Sequence, residues 1–233
     1  MKYIKKMFIS LLLVSLSLFS LNSVASANID KSDPYKMIQK AANNAFKRFA
    51  SEQSAIQKDP NILKTIVREE LLPYVDYKYA AYKVIGSGNL RKTTRAQRDH
   101  FVIIFRDYLV TQYAQVFTRY KKQKVVFAPA KDFSHRKILA VKTTILDPVL
   151  GKIDIDFKVK RNKRTKEWKA FDLVAEGISL LDSKQAELDS IIRQKGIDYA
   201  AKLLKEKSHR NIVLKSSKKS KKLPVKAQTA VNN

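Results

Sequence analysis

The chain has 233 residues, 47 of them Lys or Arg against 21 Asp or Glu, giving a formal net charge of +26, with 45% hydrophobic residues and only 5 Gly and 6 Pro. That composition excludes a collagenous, low-complexity or wholly disordered polypeptide and is rich enough in apolar residues for a domain with its own core. Cys is absent, which excludes cysteine nucleophiles, cysteine-held zinc or iron–sulfur clusters, disulfide staples and thiol lipidation.

A charge of this size and sign calls for a polyanionic partner, and the N-terminus narrows the choice. Lys2, Lys5 and Lys6 precede an uncharged run of 15 residues from Met7 to Leu21, and Ala25-Ser26-Ala27 supplies the small residues a signal peptidase reads. Roughly 17 to 25 apolar residues are needed to span a bilayer. Residues 1–27 are therefore expected to be a secretory signal peptide, cleaved after Ala27 to leave a soluble chain beginning at Asn28. An exported chain without Cys suits a Gram-negative periplasm, and export takes DNA and RNA off the list of partners.

Helical signals come first along the mature chain. Asp33-Pro34 is an N-cap followed by a first-turn proline, after which Ile38, Ala41, Ala42, Ala45, Phe46 and Phe49 share a face. Asp59-Pro60 repeats that start ahead of Leu63, Ile66, Val67 and Leu71, and Pro73 is expected to end the helix. A short helix is expected over Tyr77 to Val84. Thr94 with Gln97 forms a capping box for a long helix whose apolar stripe runs Phe101, Ile104, Phe105, Tyr108, Leu109, Tyr113, Val116 and Phe117.

The period then changes. Lys124 to Ala128, Lys137 to Leu146, Lys152 to Arg161 and Glu167 to Ala175 read as strands, and in the third Ile153, Ile155, Phe157 and Val159 alternate with Asp154, Asp156, Lys158 and Lys160. A further helix starts near Ser183 and stops at Gly196. Helices, an antiparallel meander, then helix again predict an α+β domain over residues 28–206, with helices packed on one face of a curved antiparallel sheet. Residues 207–233 hold eight basic residues and no acid and are expected to be a disordered basic tail.

Catalytic signatures are sparse. His100, His135 and His209 lack the spacing of a metal motif, Gly177-Ile178-Ser179 begins like a nucleophile elbow without its second glycine, and Asp154 and Asp156 share their strand face with lysines. No catalytic residue, metal ligand or cofactor is expected. The long helix and the strands instead carry an excess of large apolar side chains. Phe105, Leu109 and Tyr113 are expected to face Val141, Ile155, Phe157 and Phe171, with Ile178 and Leu180 closing the space as the chain leaves the sheet. Such surfaces either fill a core or enclose an apolar cavity with a basic rim for an anionic head group.

Three blocks, Pro73 to Ala80, Gln97-Arg98 with Phe101, Phe105 and Tyr113, and Thr144 to Pro148, resemble the MlaC, or toluene-tolerance, family, as does the run from Trp168 to Leu180 followed by Lys184-Gln185 and Lys195 to Asp198. The resemblance covers roughly residues 35–206. It implies an NTF2-like cone, with acyl chains between helices and sheet and the phospholipid head group at the mouth. It further implies a non-enzymatic, monomeric carrier that moves phospholipid between an outer-membrane lipoprotein–porin complex and an inner-membrane ABC transporter complex, maintaining outer-membrane lipid asymmetry. Gly88-Asn89-Leu90 departs from the aromatics usual in the family, which points to a different pocket wall there, and the basic tail has no family counterpart. The rival reading is a cationic periplasmic module with a filled core that binds anionic membrane or envelope polymer by charge alone.

Overall fold

The structure is a computed structural model that describes residues 29–120 and 123–214. The expected signal peptide lies outside the described residues. Helix α1 (Pro34–Ser51) starts where Asp33 accepts hydrogen bonds from the Tyr35 and Lys36 amides at 2.9 and 3.1 Å, satisfying donors that the first turn leaves free. Helices α2 (Gln53–Lys58) and α3 (Ile62–Ile66) follow. Pro73 acts earlier than its position suggests: the backbone widens into a π-turn over Val67–Leu71 and then tightens into a 3₁₀ turn, Leu72–Tyr74. Proline lacks an N–H and its ring clashes with the carbonyl four residues back, so α-helical register cannot run through it. Arg48 on α1 grips this segment through Glu69 and through Glu70 at 3.2 Å.

Helix α4 (Tyr77–Ile85) and the short α5 (Ser87–Leu90) lead into α6 (Arg95–Phe117). The Thr94–Gln97 capping box forms at both of its bonds, 3.2 and 3.0 Å. Helix α6 is buried on more than the one expected stripe, with Val102, Val110, Thr111 and Ala114 also enclosed.

Strands β1 (Lys124–Phe127), β2 (Ile138–Asp147), β3 (Gly151–Arg161), β4 (Trp168–Ala175) and the two-residue β5 (Ile178–Ser179) form a five-stranded antiparallel sheet in sequence order. The register sets Val141 opposite Phe157 and Phe157 opposite Leu173, with a bulge at Lys158/Val159. The predicted alternation of β3 holds, and its charged face forms a ladder: Asp154 accepts from Thr144 at 2.8 Å and Lys158 meets Asp172 at 3.2 Å. The fold is α+β, helices with an open, curved antiparallel sheet.

The final helical stretch is longer than the sequence suggested. Helix α7 (Leu180–Lys195) is capped by Ser179 and begins at Leu180, three residues before Ser183, and α8 (Ile197–Ser208) follows immediately. Gly196, at φ 82°, makes the sharp turn between them. Packing continues beyond α8, past the expected start of the tail at Lys207. Lys207 pairs with Glu187 at 3.0 Å, Thr111 donates to the Ser208 carbonyl at 2.7 Å, the Ile212 amide donates to Asn61 at 3.2 Å, and Ile212 is buried. Residues 207–214 belong to the folded domain because their backbone and one apolar side chain find partners on α3, α6 and α7. The rest of the expected tail lies outside the described residues.

Candidate functional site

Among the described residues, three apolar clusters make up the interior. One joins α4, α6, α7 and α8 to Phe171; a second joins the end of α1, α2, α3 and the end of α6; a third joins the start of α1 to Val141, Val159 and Trp168 of the sheet. A cavity of about 400 Å³ lies where they meet.

The cavity follows from how α1 is propped. Near its start Tyr35 packs on Phe133, which packs edge-on against Trp168, with ring centroids 6.1 Å apart in both pairs. At its far end Phe49 meets Phe117 at 4.6 Å and Phe46 stacks on Tyr120 at 4.8 Å. Between these spacers the face of α1 on the cavity carries Ala41, Ala42 and Ala45. Small side chains between two aromatic props withhold the volume that would fill the gap, and a void too wide to collapse remains.

Phe127, Ile145, Ile155, Phe157 and Leu173 line the sheet side, and Leu71 and Tyr74 from the π and 3₁₀ turns line an end. Val116 and Leu180 line the cavity yet are 60% and 46% exposed, so the cavity opens between the end of α6 and the start of α7.

Few polar groups reach this surface. Asp172 lies on it, but its carboxylate is engaged: Ser179 Oγ donates at 2.7 Å, the Leu181 amide at 3.1 Å, and Lys158 Nζ lies 3.2 Å away. It stitches β4 to the start of α7. Burial, and then the Asp172 charge, push the Tyr113 phenol up to about 12, so it stays a neutral hydroxyl. Thr143 is the remaining hydroxyl group on the sheet side. Among the described residues no group of three or more His, Cys, Asp or Glu is arranged to hold a metal ion.

The structure brings Tyr113, Ile155, Phe157, Phe171 and Leu180 to the cavity wall and places the other four expected residues elsewhere. Phe105 is buried between α4 and α8, stacked on Phe101, and Leu109 packs on the same cluster. Positions four apart drift about 40° around a helix, so a stripe from Phe105 through Leu109 to Tyr113 turns from the helical core to the cavity. Val141 is sealed beneath α1 in the third cluster. Ile178 is 62% exposed because β5 is too short to be covered. Gly88-Asn89-Leu90 lies away from the cavity, where Asn89 donates to Asp189 at 3.0 Å. The alanine wall of α1 was missed as a wall, although Ala41, Ala42 and Ala45 on one helical face were its signal.

The comparisons with known proteins agree with this geometry. The family model described as MlaC protein matches residues 39–206. The intermembrane phospholipid transport system binding protein MlaC of Haemophilus influenzae is 34% identical over 176 residues, covering 75% of this chain and 82% of that protein. The phospholipid-binding protein from Ralstonia solanacearum, solved in complex with a phospholipid, superposes with a TM-score of 0.66 over 76% of this chain and 97% of its own, at 16% identity, a likeness of fold. With a propped, carbon-lined cavity between helices and sheet, and a family match that spans most of the domain, this chain belongs to the MlaC family.

Proposed function

We propose that the protein is a phospholipid carrier whose cavity takes up acyl chains and whose mouth, between Val116 and Leu180, leaves the head group toward solvent. The observation that carries this reading is the apolar cavity itself, and the Haemophilus relative's name as a phospholipid transport binding protein supports it. At about 0.8 kcal/mol per buried methylene, two chains of roughly 15 methylenes hold on the order of 24 kcal/mol of transfer free energy. A lipid therefore leaves a bilayer very slowly through water, and a portable dry pocket removes that barrier.

The finer reading is that of a periplasmic monomer, cleaved after Ala27, that exchanges lipid between an outer-membrane lipoprotein–porin complex and an inner-membrane ABC transporter complex and so maintains outer-membrane lipid asymmetry. It is a binding protein and not an enzyme. The cavity favours this over a purely cationic module, which needs no internal space.

Incubating the full chain with vesicles of labelled phosphatidylethanolamine and phosphatidylglycerol, then separating the protein, tests the reading. Lipid should remain with the protein at 1 M salt, where the Debye length is about 3 Å. Loss of all bound lipid at that salt would leave the charge-only module.

A further inference from the structure

Thr143 is an anomaly in the cavity wall. It is buried, at 4% exposure, and its Oγ1 makes no hydrogen bond among the described residues. Its partners across the sheet are Phe127 on β1 and Ile155 on β3, neither of which offers a polar side chain. Asp172, engaged by Ser179, Leu181 and Lys158, makes no hydrogen bond to it. On the helical wall, the neutral Tyr113 hydroxyl also belongs to the lining.

A buried hydroxyl without a partner is costly, and valine would fill the same space without that cost. An occupant that supplies an acceptor removes the anomaly. The rest of the lining narrows what that acceptor is. No Lys or Arg belongs to the lining, so a phosphate drawn to this depth would be an uncompensated buried charge. An uncharged carbonyl oxygen on an otherwise apolar molecule fits.

We propose that Thr143, aided by Tyr113, is a specificity-determining site that donates a hydrogen bond to an acyl ester carbonyl, so that the cavity prefers ester-linked over ether-linked phospholipids. This inference rests on the phospholipid-carrier reading and adds the linkage chemistry to it.

The test equilibrates the full chain with vesicles containing equal amounts of a diacyl phosphatidylglycerol and its dialkyl ether counterpart of the same chain length, and quantifies protein-bound lipid by mass spectrometry. The wild type should favour the ester about five- to tenfold, the size of one neutral hydrogen bond. Thr143→Val should bring the ratio close to one while melting no lower than the wild type when empty. Thr143→Ser should restore the preference, and Tyr113→Phe should reduce it in part. Equal binding of both lipids by the wild type, or an unchanged ratio in Thr143→Val, overturns the inference while leaving the carrier reading intact. Binding of neither lipid overturns both.

Discussion

The two sides of α6 use alanine in opposite ways. Toward α4 and α8, Ala80, Ala81, Ala200 and Ala201 let helices approach closely, and Phe101, Phe105 and Leu188 fill what remains. Toward the sheet, Ala41, Ala42 and Ala45 of α1 lie between an aromatic prop onto β4 at the start of that helix and one onto the end of α6 at its far end, and the same small side chain leaves a cavity. Alanine gives close packing where the neighbouring element is free to move in and a void where it is not. Stability should therefore reside mostly on the first side, and ligand capacity on the second.

The largest effect is expected on the filled side. Phe101→Ala removes a fully buried ring and should cost about 3–5 kcal/mol in urea unfolding. Bound lipid per folded molecule should change little. Next comes the segment after α8. Ile212→Ala should cost about 2–3 kcal/mol, and truncation after Ser208 should lower the melting temperature at least as much; an unchanged Tm in both would show that residues 209–214 do not hold the domain together.

Ala42→Phe sharpens the contrast from the other side. The ring has room in the cavity, so stability should stay within about 1 kcal/mol of wild type, while bound phospholipid falls more than about tenfold. A variant that unfolds would mean that this side is as tightly packed as the first.

The smallest effect is a pH signature at the boundary. The Tyr113 phenol holds its proton more tightly folded than unfolded, so its contribution to stability is present below pH 10 and is lost as pH rises toward 12. Tyr113→Phe should flatten the alkaline melting profile across that window. An identical profile in both proteins would place the phenol in contact with bulk water.

The same contrast explains what the sequence made legible. Period and capping sufficed for α1, α6 and the four long strands, because Asp33-Pro34, the Thr94–Gln97 box and the alternation of β3 are local signals. Helix α8 went unread because the helical signal was taken to stop at Gly196, although Ile197, Ala200, Ala201 and Leu204 keep helical spacing beyond it. The cavity was legible only in part. Periodicity says that a side chain points inward and not which inner space it meets, so Phe105 and Tyr113 looked alike on one stripe. Which apolar surface is filled depends on how far apart distant elements are held, and the aromatic props that set that distance for α1 come from the loop before β2, from β4 and from the end of α6.

The central claim is that the void beneath α1 is a phospholipid site, and the most direct measurement is mass spectrometry of organic extracts from the full chain purified from its envelope without detergent. The account predicts phospholipid in stoichiometric amount in the wild type and almost none in Ala42→Phe, with both proteins folded. Wild-type protein that is folded and yields no phospholipid would contradict it.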